Sequence, residues 1–312
     1  MVENKDLSPQ NGQESEKITP KSFLLDIAKG FLIGVAFIIP GFSGGTVAAI
    51  IGVYEKLVGA IAGLFTSFKR SFLTILPIFI GLVLGAVSLM YPLSFFLELA
   101  PIPTVSLFVG LTVGALSPIF KKAEKKIGLK SVLAFIIPLA LCLSLLIIPS
   151  GSEVDLFGLN IGGYLILFLV GMLGSTALVI PGISGSMILL ILGFYNPIIS
   201  VIKDNFLKGE NMLTAFLILM SVGLGIIVGF IGISVVMKRL LNKYQGLTYT
   251  AILGFIIGSI PTVFISTASD AGYTLATLPT SPLYWIMAVL MLAVGISVSI
   301  IIIKLANKKA EE

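Results

Sequence analysis

The sequence predicts an all-α integral membrane protein made of two inverted-topology repeats. Each repeat is a re-entrant (or paired) helix hairpin followed by three transmembrane helices. Three observations carry the prediction. Of the 312 residues, 57% are hydrophobic and 11% charged, far from the balance of a soluble domain. Six uncharged stretches, at 71–97, 99–120, 131–152, 211–237, 244–269 and 271–303, each reach the roughly 20 residues that cross a bilayer core. A Pro-Gly-x-Ser-Gly signature occurs twice, each time inside an apolar segment.

Taken in order, residues 1–22 mix Lys5, Lys17 and Lys21 with Glu3, Asp6, Glu14 and Glu16. They lack the basic start, apolar run and cleavage site of a signal peptide, and read as a flexible cytoplasmic tail. Repeat 1 follows over 23–150 and repeat 2 over 151–305, with a cytoplasmic tail at 306–312. Lys and Arg favour the cytoplasmic side of short loops. They cluster at 121–130, at Lys238, Arg239 and Lys243, and at Lys304, Lys308 and Lys309, whereas the segments around Glu98, Glu153, Asp155 and Asp270 contain none. Lys56, Lys69 and Arg70 then mark a further cytoplasmic loop, Lys69 and Arg70 reading as orientation signals rather than site residues. Of all the basic residues, only Lys203 and Lys208 fall outside this pattern.

This parity decides the hairpins. The apolar stretch 30–54 must enter and leave on one side, and its length is too short for two crossings of roughly 20 residues each, so it reads as re-entrant. The stretch 156–202 must also begin and end on one side; its length allows either a re-entrant hairpin or two full helices. Tyr284 and Trp285 open the last span and suit an aromatic interface belt.

The two hairpins repeat one another. Ile39-Pro40-Gly41-Phe42-Ser43-Gly44-Gly45 matches Ile180-Pro181-Gly182-Ile183-Ser184-Gly185-Ser186 at an offset of 141, continuing through Gly52 with Gly193 and Tyr54 with Tyr195. Gly110 and Gly114 before Pro118 pair with Gly254 and Gly258 before Pro261 at an offset of 144. A hairpin plus three spans is an odd number of crossings, so the second half is expected upside down relative to the first. Transporters of that plan bind substrate near the midplane, at interrupted helices. Gly59, Gly63, Gly81, Gly85, Gly223 and Gly225 read instead as helix-packing residues.

Pro40, Gly41, Pro181 and Gly182 are expected to break the helix at membrane depth. Such backbone is tolerated where protein or a water-filled cavity surrounds it. Ser43 and Ser184 suit the N-cap of the half-helix that follows, and Gly44, Gly45 and Gly185 leave backbone N–H groups open. Helix N-termini favour anions, phosphate above all. Asp26, Lys29, Glu55 and Lys56 flank the first hairpin and are candidates for neutralising a headgroup charge or for coupling transport to an ion.

The doubled signature, Pro40 to Thr46 with Gly52, Tyr54 and Glu55 and again Pro181 to Ser186 with Gly193 and Tyr195, resembles the bacterial family first catalogued as domain of unknown function 368, which includes the PopT-type polyprenyl-phosphate translocases. The likeness runs from about Lys21 to Lys304. It implies a flippase of the bacterial cytoplasmic membrane that returns undecaprenyl phosphate, the lipid carrier of cell-wall precursors, from the outer to the inner leaflet. The implied headgroup site is Ser43, Gly44, Gly45 and Thr46 with Ser184, Gly185 and Ser186. An integral-membrane polyprenyl pyrophosphate phosphatase is the first alternative, because its Pro-Gly-x-Ser-Arg-Ser signature is similar. Here Gly44 and Gly185 stand at the arginine position, and phosphoryl transfer needs cationic stabilisation. A secondary transporter of small anions is the second alternative.

Cys142 is the only cysteine and histidine is absent, so disulfides, cysteine metal clusters and histidine ligands are all excluded. No cofactor or metal is implied. The net charge of +5 sits in short loops between spans and is not read as nucleic-acid binding. Membrane lipids and the polyprenyl phosphate are the partners expected; the sequence is silent on oligomeric state.

Overall fold

A computed structural model describes residues 19–38, 44–114, 116–148, 153–182, 185–202, 209, 211–273 and 277–311. These hold thirteen α-helices and no strand. The first half comprises α1 (Pro20–Ile38), α2 (Gly44–Ile50), α3 (Tyr54–Ala62), α4 (Phe68–Leu99), α5 (Pro101–Gly114), α6 (Leu116–Lys122) and α7 (Leu129–Ser144). The second comprises α8 (Ile161–Val179), α9 (Gly185–Ile191), α10 (Tyr195–Ser200), α11 (Met212–Lys243), α12 (Gln245–Asp270) and α13 (Pro282–Glu311).

Six helical segments are long and apolar enough to cross a membrane: Phe68–Leu89, Pro101–Lys122, Ile161–Val179, Met212–Lys243, Gln245–Ser269 and Pro282–Ile301. Five coincide with expected spans. The sixth expected span, 131–152, holds only the 16-residue α7, about 24 Å of helix against a core of roughly 30 Å. Uncharged length overestimated that helix, because α7 gives way to turns after Ser144. Its place is taken by α8, the first arm of the second hairpin. The first hairpin also begins earlier than the stretch 30–54, since α1 reaches back to Pro20.

The duplication is visible at the level of single bonds. Gly52 and Gly193 have φ of 74° and 77°, and each closes the short helix before it in the same way. Val53 N–H donates to Ala48 O at 3.0 Å, and Phe194 N–H donates to Leu189 O at 2.9 Å. This is the bond of a helix ended by a left-handed glycine, with an apolar residue following. It swings α3 away from α2 by 118°.

The long helices pack through small residues. A Cβ on Gly30 of α1 would meet the carbonyl of Ile78 on α4, while Gly81 and Gly85 of α4 face the carbonyls of Ile27 and Phe31. In the second half Gly171 faces Val222, and Gly225 and Gly229 face Phe168 and Met172, the same pairs shifted by 141 and 144. Without side chains between them, the backbones approach closely. Gly223 and Gly59 meet nothing, contrary to their reading as packing residues. Gly223 lies two positions from Gly225, on the opposite side of the helix.

The halves also exchange helices. α5 packs on α13 through Gly110 against Leu292, and α12 packs on α7 through Gly254 against Phe135. The main buried cluster therefore draws on both halves, joining Ile33, Ala48, Val53, Tyr54 and Val58 to Val179, Met237, Tyr249, Ile252 and Ile256. Tyr284 and Trp285 stand at the start of α13, where Ile102 N–H donates to Tyr284 OH at 3.2 Å and Trp285 Nε1 donates to Pro279 O at 2.8 Å.

Candidate functional site

The second signature segment can be followed through Pro181 and Gly182; of the first, the described part begins at Gly44. Pro40, Gly41, Ser43 and Ser184 fall outside the described residues. Pro181 and Gly182 occupy the gap between α8, which ends at Val179, and α9, which begins at Gly185. Gly182 has φ of 90°, and a Cβ there would stand 2.5 Å from the carbonyl carbon of Phe255. Only glycine meets both demands. Cys142 Sγ, buried and free, donates weakly to Gly182 O at 3.4 Å.

Gly44, Gly45 and Thr46 form the buried first turn of α2, and Gly185 and Ser186 open α9. The hydroxyls of Thr46 and Tyr54 are buried with no hydrogen-bond partner among the described residues. Val179, two residues before Pro181, shares a buried cluster with Ala48 and Ala49 of α2. The first short helix thus packs against the end of α8, next to the second signature.

The charges gather elsewhere. A cavity of about 770 Å³ opens between α1, α3, the start of α4 and α11. Its walls bring together Asp26, Glu55 and Lys56, three of the four charges expected to matter, but neither Lys29 nor the signature glycines. Lys69, Arg70 and Lys238 join them. The sequence did carry a signal for this wall. Ser67, Arg70, Ser71 and Thr74 recur at i, i+3, i+4 and i+7, a polar stripe at helical period.

Lys56 Nζ donates to Asp26 Oδ2 at 2.7 Å, and the Asp26 side chain is only 10% exposed. Burial of that carboxylate is tolerable because it is paired. Glu55 stands at the first turn of α3 and joins the halves. Its Oε1 accepts from Tyr249 OH at 2.6 Å, Lys122 Nζ at 3.0 Å and Gln245 Nε2 at 3.3 Å. Lys122 also lies over the Tyr249 ring, 5.1 Å from its centroid. In the second half Asn196 takes the place of Glu55 and donates to Glu153 Oε1 at 2.9 Å. A second hollow, about 390 Å³ and apolar, runs between α11 and α12 from Tyr244 to Ile180.

Comparison with known proteins agrees with this plan. A family model described as undecaprenyl phosphate translocase-like matches residues 33–277. The chain belongs to this family. The family match spans both signatures, Glu55, the polar stripe of α4 and Lys238, while Ser22 and Asp26 precede it. A polyprenyl-phosphate transporter of Staphylococcus aureus is 31% identical, the alignment covering 88% of this chain and 94% of the relative. A polyprenyl-phosphate transporter of Vibrio cholerae serotype O1 is 25% identical over 92% of this chain and 98% of its own length. No solved structure matches.

Proposed function

We propose that the protein is a flippase for undecaprenyl phosphate, returning this polyprenyl phosphate carrier from the outer to the inner leaflet of the bacterial cytoplasmic membrane for reuse in cell-wall assembly. The observation that carries the reading is the packing of α2, which follows the first signature, against the end of α8, beside the second. It sets Gly44, Gly45 and Thr46 beside the end of α8, next to the second signature, inside a membrane protein whose relatives are named for polyprenyl phosphate transport. In this reading Ser43, Gly44, Gly45 and Thr46 with Ser184, Gly185 and Ser186 receive the phosphate through backbone N–H groups and hydroxyls. The unpartnered Thr46 hydroxyl supports a polar guest there. The apolar hollow ends at Ile180, first residue of the second signature, so a prenyl tail lying in it reaches the headgroup site without leaving an apolar environment.

The distribution of Lys and Arg supports cytoplasmic termini and an inverted second half. Gly44 and Gly185, standing where related phosphatases carry arginine, favour translocation over hydrolysis.

The test is transport itself. Vesicles containing the purified protein should move undecaprenyl phosphate between leaflets, read by protection of its headgroup from an impermeant phosphatase. Replacing Ser43 or Ser184 by Trp should abolish movement at unchanged expression. No movement by the wild type overturns the reading. Release of phosphate from undecaprenyl pyrophosphate by the pure protein would establish the phosphatase, and movement of inorganic phosphate alone would establish the small-anion carrier.

A further inference from the structure

The cavity beside the first hairpin has a counterpart position in the second half; its α11 wall, set by packing on α3, has no equivalent there, since α10 makes no comparable contact with α4. The crossing is the same: α1 crosses α4 as α8 crosses α11, through glycines at matching positions. Yet Asp26, Ala60, Ser71 and Thr74, which line the cavity, correspond to Leu167, Val201, Ala215 and Ile218. Those four residues, with Leu156, Ile198 and Val222, form a buried apolar cluster among the described residues, in which Leu167, Ala215 and Ile218 are 0% exposed. Glu55 and Lys56 correspond to Asn196 and Pro197, Lys69 and Arg70 to Leu213 and Thr214, and Lys238 to Ser94. At these described positions the second copy packs without the charges, so the crossing of the long helices does not demand them.

What occupies the hollow follows from its walls. Among the described residues of its walls, Lys56, Lys69, Arg70 and Lys238 outnumber Asp26 and Glu55 by two. Among the described residues Lys69, Arg70 and Lys238 make no ion pair. Ser67 and Ser71 add hydroxyls 3.5 Å apart. A guanidinium, ammonium groups and hydroxyls around a space of this size suit a dianionic phosphate, with its several acceptor oxygens. We propose that this cavity is a second, one-sided phosphate-monoester site, separate from the signature segments, at which the headgroup is held at the Lys- and Arg-rich end of its path. The identification of the guest as a lipid headgroup rests on the transport reading above; the phosphate chemistry does not.

Full-length protein in lipid nanodiscs should be titrated with undecaprenyl phosphate, inorganic phosphate and undecaprenol. Lys69→Gln/Arg70→Gln/Lys238→Gln should weaken undecaprenyl phosphate binding at least tenfold and leave undecaprenol unchanged, while Lys125→Gln, on the neighbouring basic loop, changes neither. Ser71→Ala/Thr74→Ile, which gives the cavity the residues of its apolar counterpart, should cause a similar loss with an unchanged or raised melting temperature; this separates occupancy from misfolding. Weakening of the lipid alone assigns the site to the headgroup, and equal weakening of inorganic phosphate assigns it to free phosphate; both keep a phosphate site. Affinity within twofold of wild type in both variants overturns it. Wild type that binds phosphate but moves no lipid leaves the cavity standing and removes the transport reading; lipid movement with both variants unimpaired in binding does the reverse.

Discussion

Asp26 and Glu55 line one cavity and carry one charge each, but their surroundings give their loss different consequences. Asp26 is 7% exposed and its partner Lys56 reaches it from across the hairpin. Asp26→Ala removes a charge-assisted hydrogen bond made at a buried carboxylate, and should lower stability by about 2 kcal/mol. Glu55, with its side chain 41% exposed, sits in water-screened company. Its ion pair with Lys122 belongs to the class worth about 1 kcal/mol or less. After Glu55→Ala, Tyr249 OH still accepts from Lys122 at 3.3 Å, and water entering in place of the half-exposed carboxylate can take the phenol hydrogen that Glu55 accepted. Melting temperatures in one detergent should therefore rank Asp26→Ala well below Glu55→Ala, and equal losses would refute the account of the buried pair.

At the scale of elements, the helix crossings depend on missing side chains. A Cβ on Gly81 would stand 2.7 Å from Phe31 N, and one on Gly225 would stand 3.1 Å from Met172 N, with carbonyls nearer still. Gly81→Ala and Gly225→Ala should each force α4 from α1, or α11 from α8, and lower the melting temperature by several degrees. Gly223→Ala lies on the same helix as Gly225 but meets open space, and should be neutral or stabilising by up to about 1 kcal/mol from helix propensity. A Gly223→Ala variant as damaged as Gly225→Ala would contradict the crossing. This contrast also marks what could be read in advance. The interruption at Pro181 and Gly182 was legible because Pro and Gly act locally, on the backbone at their own positions. Which glycines touch a neighbour was not, since Gly223 and Gly225 differ only in the direction they face. The cavity was illegible for a related reason: Asp26, Arg70 and Lys238 come from three distant segments, and only the crossing of α1, α4 and α11 sets them around one space. The short α7 was hidden by the uncharged turns that follow it.

For the whole molecule, the exchange of α7 and α13 between halves means that neither half buries its own final helix, so the halves should unfold together. The orientation of these halves in the bilayer is open to a direct test because the chain has a single, buried cysteine. Cys142 touches only backbone oxygens through its thiol, so Cys142→Ala should fold and transport normally. In that background Lys125→Cys, on the basic loop after α6, should react with an impermeant maleimide only after the membrane is opened. A cysteine replacing Asp155, in the acidic segment before α8, should react in intact cells. These two positions lie on either side of α7, so the pair also decides whether this 16-residue helix carries the chain across despite its length. Labelling of both from the same side would place α7 as a non-crossing helix and, by parity, turn the second half the same way up as the first. Labelling from opposite sides requires α7 to cross, with the bilayer thinned or flanking turns drawn in to meet a short helix. The inverted arrangement, and with it two signature segments approached from opposite leaflets, stands or falls on that result.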